Sequence, residues 1–534
     1  MKSSFLLSVV STSLFIGDAL GLFPKLSVVE PLELLQDEVA QLRSASFPLT
    51  GNGTFNTYID HNNPRLGTFP IRYWYNATSW AGPGSPVILM TPGEIAAEGY
   101  TGYLTDRAMT GVYANAVGGA VLLVEHRYYG DSTPYEVQST RNLRYHTLDQ
   151  AVADFVLMAR KVKLPFDTSG QTNAPKAPWV WVGGSYSGAL AAWIERLAPG
   201  TFWAYHGSSG PLEAIYDYWQ YFYPIQQGMP RNCSSDFEAI IDHVDRVFTH
   251  GSRKEKLALK ESFGVEELEH DDDAAQSISS PIWAWQSIQL NSGYSQFYQM
   301  CDAIEGVNLT SSSSYSARGV GLNKALPNYA AWFKSSYIPG YCESYGYSDW
   351  SGTNNVQCWN TYNASMEVWH DWSARSTFYR SWVWQTCNDP FFYYQTGAPK
   401  GKPTVFSRLV GPEYYQRQCE LLFPREGIFT YASNVGKTAA DINAHTGGWF
   451  HTRTTRLITT NGEFDPWRSA SVSSVFRPGG PFKGNPKAPV ILIDGARHCN
   501  DLTLRNAVHP PVAAAQKVLL EQITAWVGEF YDRK

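Results

Sequence analysis

The chain has 534 residues, 43% of them hydrophobic and 17% charged, a balance that excludes a disordered polypeptide and leaves length for about two to four domains. A formal net charge of −6, with 42 basic residues and no basic block, excludes an electrostatic nucleic-acid binder. Aromatic residues reach 14%, enough to line broad apolar surfaces.

Residues 1–21 read as a secretory signal. Lys2 supplies the charged start, Phe5-Leu6-Leu7-Ser8-Val9-Val10 and Leu14-Phe15-Ile16 the apolar centre, and Gly17, Ala19 and Gly21 the small residues of a cleavage site. That stretch is too short to span a bilayer and no later run of about 18 apolar residues exists, so no membrane anchor is expected. Residues 22–45 are either the mature N-terminus or a removable pro-segment. Tyr58-Ile59-Asp60-His61 and residues 68–75 read as two strands of a hairpin turning at Asn62-Asn63-Pro64. Pro86-Val87-Ile88-Leu89-Met90 is a buried strand that ends at Thr91-Pro92-Gly93-Glu94. A helix is expected over 105–117, weakened by Gly111. Ala120-Val121-Leu122-Leu123-Val124 is a second buried strand and runs into the polar loop 125–134. There His126, set between Glu125 and Arg127, reads as a structural hydrogen-bonding group. Leu148, Val152, Phe155, Val156 and Ala159 recur at helical spacing behind Thr147, a capping residue.

Trp179-Val180-Trp181-Val182 then forms a strand buried on both faces. Gly183-Gly184-Ser185-Tyr186-Ser187-Gly188 follows, and a helix runs from there to Pro199-Gly200. A strand, a tight turn of small residues with serine at its tip, and a helix make a nucleophile elbow. The pattern departs from G-x-S-x-G: Ser187 holds the last place and Gly188 comes one residue late. Ser187 is the alternative nucleophile.

Apolar strands alternating with helices predict a mostly parallel sheet covered on both faces. The alternation fades after about residue 205. From there to about 440 the chain is rich in Tyr and Trp, has helical stretches at 235–249 and 254–264, and reads as a mostly helical cap inserted into an α/β core. His270-Asp271-Asp272-Asp273 lacks the spacing of a metal loop and is read as a solvated acidic loop. Residues 311–314 read as a surface loop. The sheet pattern returns at residues 454–460, ahead of Asn461-Gly462-Glu463-Phe464-Asp465-Pro466-Trp467. It recurs at Pro489-Val490-Ile491-Leu492-Ile493, ahead of Asp494-Gly495-Ala496-Arg497-His498. Ala515, Leu519, Ile523, Trp526, Val527 and Phe530 mark the face of a closing helix. The expected organisation is a signal over 1–21, a possible pro-segment over 22–45, core over 46–205, cap over 206–440 and core over 441–534.

Six of the seven cysteines, at 233, 301, 342, 358, 387 and 419, lie in the cap and can staple it. Cys499 stands apart beside His498 and is expected to be a free thiol. Glycosylation sequons at Asn52, Asn76, Asn232, Asn308 and Asn363 suit a secreted chain. Serine acyl transfer needs a base for the hydroxyl proton and a carboxylate to orient that base. Ser185, Asp465 and His498 each follow a predicted strand, in the chain order of α/β-hydrolases and at the strand ends where open α/β sheets place their sites. Glu463 is a rival for the acid and Asp494 a weaker one. Nothing here calls for a cofactor or a metal.

On these motifs the chain resembles the serine peptidase family of lysosomal Pro-Xaa carboxypeptidase, dipeptidyl peptidase II and the secreted acid prolyl endopeptidases of filamentous fungi. Gly183-Gly184-Ser185-Tyr186, Glu125-His126-Arg127-Tyr128-Tyr129-Gly130, Asp465-Pro466-Trp467 and His498 near Asp501-Leu502 carry the likeness, which covers nearly all of 55–530. Phe202-Trp203-Ala204-Tyr205-His206 and Tyr218-Trp219-Gln220-Tyr221-Phe222-Tyr223-Pro224 bring it closest to the fungal endopeptidases. The resemblance implies an α/β-hydrolase core with a helical cap, and cleavage on the carboxyl side of proline by an acid-active endopeptidase. It makes Ser185 the nucleophile, Asp465 the orienting acid and His498 the base. Tyr186 N–H and the loop at Gly93 would form the oxyanion hole, Trp467 would line the proline pocket, and Glu94 would be placed to hold a free substrate amine. A Pro-Xaa carboxypeptidase, a dipeptidyl exopeptidase, or a carboxylesterase or lipase are the alternatives; a non-enzymatic adhesion protein would lack the serine or the histidine. The expected partners are proline-rich peptides or proteins, with no nucleic acid, in an extracellular or vacuole-like compartment. Acid activity sets a physical demand: His498 must stay neutral, so burial or a nearby cation such as Arg497 must outweigh Asp465.

Overall fold

The computed structural model describes residues 29–33, 48–307, 316–376 and 379–533. The signal over 1–21, most of 22–45, Asn308 and residues 311–314 lie outside the described residues.

The core strands are β1 (Thr50–Tyr58), β2 (Thr68–Asn76), β3 (Val87–Met90), β4 (Ala120–Val124), β5 (Trp179–Gly184) and β6 (Ala204–Ser208). Two short strands, β7 (Ile215–Asp217) and β8 (Phe392–Tyr394), pair apart from them. Then come β9 (Leu457–Gly462), β10 (Gly484–Asn485) and β11 (Ala488–Ile493). Nine of these form one sheet in the order β1-β2-β4-β3-β5-β6-β9-β11-β10. From β4 to β11 all neighbours are parallel; β1, β2 and β10 are antiparallel additions at the edges. Every residue of β3, β4, β5, β6 and β9 is buried, as expected of parallel strands covered on both faces.

Helices α1 (Met109–Val117), α2 (Leu148–Lys161) and α3 (Tyr186–Leu197) cover the sheet. Thr147 caps α2, its hydroxyl accepting from Gln150 N–H at 3.3 Å. The sheet is interrupted between Ser208 and Leu457. That stretch holds α4 (Arg231–His250), α5 (Arg253–Phe263), α6 (Asp271–Ser279), α7 (Gln296–Glu305), α8 (Leu322–Trp332), α9 (Arg380–Asn388) and α10 (Pro412–Leu422). The chain closes with α11 (Pro510–Asp532), which buries Ala515, Leu519, Ile523, Trp526 and Val527. An α/β-hydrolase core interrupted by a mostly helical insertion is therefore the architecture.

Three local expectations need correction. Residues 59–61 are turn, not strand. His61 N–H donates to Gln150 Oε1 at 2.9 Å and its ring reaches Asp154 at 2.7 Å, which pulls this segment off β1. The helix expected over 105–117 starts only at Met109. Gly111 is what lets it lie on the preceding turn, since a Cβ there would fall 2.1 Å from the Thr105 carbonyl oxygen. Asp271-Asp272-Asp273 is the first turn of α6 rather than a solvated loop. Its carboxylates complement the helix N-terminus, Asp271 pairs with Lys256 at 2.8 Å and Lys260 at 2.9 Å, and Asp273 is buried on Thr361.

The cap cysteines pair as Cys233–Cys301, Cys342–Cys358 and Cys387–Cys419, which leaves Cys499 as a buried free thiol. Thiol titration without reductant should therefore find about one group per unfolded chain and none that reacts quickly in the native state. A mapped bridge through Cys499 would contradict the pairing.

Candidate functional site

Ser185 sits between β5 and α3 with φ 59° and ψ −129°, far from any regular conformation and held there by its surroundings. Its N–H donates to Ser208 O at 3.0 Å and its carbonyl accepts from Ala189 N–H at 2.9 Å. Neighbouring backbones crowd the turn. A Cβ on Gly183 would lie 2.2 Å from Ser187 O, one on Gly184 2.9 Å from Cys499 Sγ, and one on Gly188 2.3 Å from Ser208 O. The second glycine of this elbow is therefore needed one residue later than the usual pattern places it. Ser187 is fully buried with no partner for its hydroxyl among the described residues, while Ser185 stands at the turn's tip. The Tyr186 N–H, first in α3, meets no acceptor among the described residues, as expected at a helix start.

Two loops close on the elbow. Asp465, after β9, is wholly buried and caps a short 3₁₀ turn by accepting from Trp467 N–H at 3.0 Å. The same oxygen, Oδ1, takes His498 Nδ1–H at 2.9 Å. His498 follows β11 and is 4% exposed. With Nδ1 committed to the carboxylate, the neutral ring offers Nε2 as its basic nitrogen. Glu463 instead accepts from Gly495 N–H at 2.9 Å, and the side chain of Asp494 is exposed, so neither rival meets the histidine.

Glu94 joins the two halves. It is 1% exposed, its carboxyl is hydrogen-bonded to the Ser185 side chain, and it lies close enough to His498 to interact with its charge. Oε2 has no hydrogen-bond partner among the described residues. Burial pushes its pKa up to about 8 against backbone, His498 and Ser185 contacts that favour the anion. Gly93 adopts φ 84°, and a Cβ there would stand 3.0 Å from the Tyr186 ring. Its N–H, however, donates to Thr91 Oγ1 at 3.2 Å, and Glu94 N–H to Pro92 O at 3.2 Å. Without substrate, the Gly93 donor expected to serve an oxyanion hole is thus turned toward its own loop.

The electrostatics around His498 run against the condition set for acid activity. Burial disfavours the His498 cation, but Cys499 and Asp465 favour it more, and the pKa lies well above the ordinary 6.5. Arg497 does not offset this. Its guanidinium stands 4.5 Å over Trp285 and donates to Tyr298 Oη at 2.7 Å and Gly495 O at 3.1 Å. His126 fits its structural reading. Nδ1–H donates to Arg127 O at 2.8 Å, Tyr186 Oη lies 3.2 Å from Nε2, and burial lowers its pKa to about 4.

Trp467 is 4% exposed, boxed by the rings of Tyr393 at 5.3 Å, Tyr221 at 5.5 Å and Tyr218 at 5.7 Å. Gln286 Oε1 accepts from its indole N–H at 3.1 Å and from Tyr221 Oη at 2.6 Å. Gln286 and Tyr393 come from distant parts of the insertion and carry no motif that would single them out. Part of the stretch read as a possible pro-segment docks here as well. Val29 is fully buried against Gly184, and Glu30 pairs with Arg505 in the loop that follows His498. Of the sequon asparagines, Asn52 and Asn363 are exposed, Asn232 is half-buried, and Asn76 donates its amide to Leu104 O at 2.8 Å.

The family pattern described as Serine carboxypeptidase S28 matches residues 58–519 of this chain. The chain belongs to that family. Among relatives, "Serine protease vicPa" of Bipolaris victoriae (strain FI3) is 50% identical over 91% of this chain and 90% of its own length. "Probable extracellular serine carboxypeptidase" of Arthroderma benhamiae is 32% identical over 84% of this chain and 61% of its own. "Thymus-specific serine protease" of Homo sapiens is 23% identical over 86% and 83%. A proline iminopeptidase structure from Mycobacterium smegmatis aligns with 89% of this chain and 99% of its own at 11% identity and a TM-score of 0.33. This family member is a serine peptidase.

Two measurements probe the site. Fluorophosphonate labelling of Ser185 should slow as pH falls through the His498 pKa, with a midpoint above 6.5; a rate that stays flat down to pH ~4 would mean that another group takes the proton. Glu94→Gln should change the pH dependence of stability. A carboxyl whose pKa rises from 4.5 unfolded to about 8 folded stabilises the native state fully below 4.5 and progressively less as pH climbs through 8. Wild type should therefore lose up to roughly 5 kcal/mol over that range relative to the variant. Parallel denaturation profiles from pH 5 to 8.5 would contradict the burial argument.

Proposed function

We propose that this chain is a secreted serine peptidase that cleaves on the carboxyl side of proline, acting within peptides as well as near their ends. The observation that carries the chemistry is the buried Asp465–His498 hydrogen bond of 2.9 Å beside a serine held in a strained elbow. In this reading His498 Nε2 takes the Ser185 proton as Oγ attacks the carbonyl carbon. Asp465 stabilises the imidazolium without taking the proton. The Tyr186 N–H, which meets no acceptor among the described residues, donates to the developing oxyanion. His498 then passes its proton to the leaving amine, and a water molecule repeats the sequence in reverse to release the acyl group.

The proline preference rests on Trp467. It lies two residues beyond Asp465, and its ring is pinned by three tyrosines and Gln286. A compact pyrrolidine with no N–H is recognised by rigid aromatic walls rather than by donors and acceptors. Internal cleavage rests on the likeness to the fungal endopeptidases, and Glu94 agrees with it. Below its pKa of about 8 this carboxyl is neutral and brings no standing charge to hold a substrate ammonium. The family description favours a second reading, release of a C-terminal residue, which requires a cation for the free carboxylate. Arg497 adjoins His498 but is engaged with Tyr298 and Trp285, so that reading needs it to swing free. Secretion is supported by the signal-like residues 1–21 and by the relative named extracellular. Among the described residues no helix is long and apolar enough to cross a membrane.

A peptide acetylated and amidated at its ends, with one internal proline, should be cut after that proline by wild type and left intact by Ser185→Ala. Cleavage only of a free-ended analogue would make the enzyme an exopeptidase. Trp467→Ala should lower kcat/KM for proline over alanine at that position by at least about tenfold, since shape selection by an apolar pocket is worth ~1–3 kcal/mol. An unchanged ratio would remove Trp467 from the pocket.

A further inference from the structure

Close to the elbow, through Ser208, lies a second histidine–carboxylate pair. Asp501 is 2% exposed, and three donors converge on its carboxylate. Ser208 Oγ donates to Oδ1 at 2.6 Å, Thr460 Oγ1 to Oδ2 at 2.7 Å, and His206 Nε2 to Oδ2 at 3.1 Å. Tyr113 Oη lies 3.2 Å from His206 Nδ1. Donors and acceptors match when Tyr113 donates to Nδ1 and His206 donates through Nε2–H to an ionised Asp501. These donors hold the Asp501 carboxylate below its usual range despite its burial.

Two of the donors, Ser208 and His206, stand on β6, which borders both β5 and β9, and the third, Thr460, stands on β9 itself. Ser208 ends β6, and its carbonyl accepts the N–H of Ser185. Thr460 lies in β9, which leads to Asp465, and its carbonyl accepts Ser209 N–H at 2.7 Å. Ser209 Oγ in turn accepts Cys499 N–H at 3.0 Å, next to His498. Asp501 belongs to the His498 loop, whose far side is tied to α11 by Gln516 Nε2 donating to the Asp501 and Thr503 carbonyls at 3.0 and 2.9 Å. One buried carboxylate thus joins the serine's backbone acceptor, the strand before the acid and the loop of the base. His206 and Ser208 are wholly buried, so this pair has no access to substrate.

We infer that Asp501 is a positioning residue that sets the mutual geometry of Ser185, Asp465 and His498. The inference rests on the triad reading above. An asparagine at 501 would offer one oxygen where two are used and would turn an N–H toward a hydroxyl or imidazole donor. The strand ends would then separate by tenths of an ångström or more. Attack geometry is sensitive on that scale, and a misplacement of about 1 Å costs on the order of 100-fold in rate.

The test compares wild type, Asp501→Asn and Ser208→Ala on a chromogenic proline substrate, with active sites counted by fluorophosphonate titration and Tm recorded in parallel. Per titrated site, kcat should fall roughly 30–100-fold in Asp501→Asn and about 3–10-fold in Ser208→Ala. KM should stay within about threefold, and the labelling rate should fall with kcat. A purely structural role would lower Tm and the number of titratable sites but leave kcat per site alone. Ser208→Ala, which keeps Cβ and the backbone acceptor, decides the matter if Asp501→Asn yields no folded protein. Wild-type kcat per site in Ser208→Ala, or in a folded Asp501→Asn, would overturn the inference. A wild type that takes up no probe at Ser185 would instead overturn the triad reading and this inference with it.

Discussion

The backbone of Ser185 is the constraint around which the molecule is arranged. A non-glycine residue at φ 59° and ψ −129° costs about 1–3 kcal/mol and persists only where the surroundings over-determine it. Here they do. β5 is buried along its whole length between β3 and β6, so the strand end cannot relax outward. Ser208 O fixes the serine's N–H, and α3 fixes its carbonyl. Gly183, Gly184 and Gly188 let the next turn, the Cys499 loop and β6 approach closer than any side chain permits. A sheet buried on both faces thus converts hydrophobic burial into a fixed position for one hydroxyl.

Buried charge supports the same turn from the side of β4. Glu125 accepts from Arg72 Nε and Nη2 at 2.9 and 2.8 Å and from Ser132, while Arg127 meets Asp154 at 2.5 and 2.7 Å. Such pairs add little net stability relative to an apolar core, but losing one partner strands a buried charge, so they fix geometry. They hold the loop that presents His126 and Tyr129. Tyr186 Oη donates to His126 and accepts from Gln385 Nε2 at 3.0 Å, and Gln385 Oε1 accepts from Tyr129 Oη at 2.7 Å. Gln385 belongs to α9 in the insertion, so the residue after the proposed nucleophile is one of the points where core and insertion are bonded together.

The insertion is stabilised differently from the core. Apart from α4 its helices are short, and its interior is rich in packed aromatic rings and crossed by three disulfides. Disulfides that close loops of 68, 16 and 32 residues restrict the unfolded chain as much as they tie the folded one. The same aromatic mass continues up to the Asp465 loop through Tyr218, Tyr221, Tyr393 and Trp467. The rings that support the insertion therefore also define the wall beside the proposed acid.

Much of this was legible in the sequence, because its signals are local. Runs such as Val87 to Met90 and Ala120 to Val124 announce strands covered on both faces. The small residues around Ser185 announce a crowded turn, and Asp465 and His498 sit just past strand ends. The cysteine grouping told the stapled block from the lone Cys499. What the sequence by itself determined was thus the class of the fold and the residue types at the strand ends. Tertiary structure decided the rest. β6 is too short and polar to declare itself, since His206, Gly207 and Ser208 look like loop until neighbouring strands enclose them. Gly93 had the right chain position for a donor, but a hydroxyl two residues earlier took its N–H. Whether His498 is held neutral or charged follows from burial weighed against Asp465 and Cys499, a balance no sequence window contains. Asp501 belongs to the motif around His498, but nothing local announces its role, because its donors come from β6 and β9, more than 40 residues away along the chain. Local covalent pattern specifies elements; electrostatic environment and donor–acceptor pairing depend on distances between elements, and those exist only once the chain has folded.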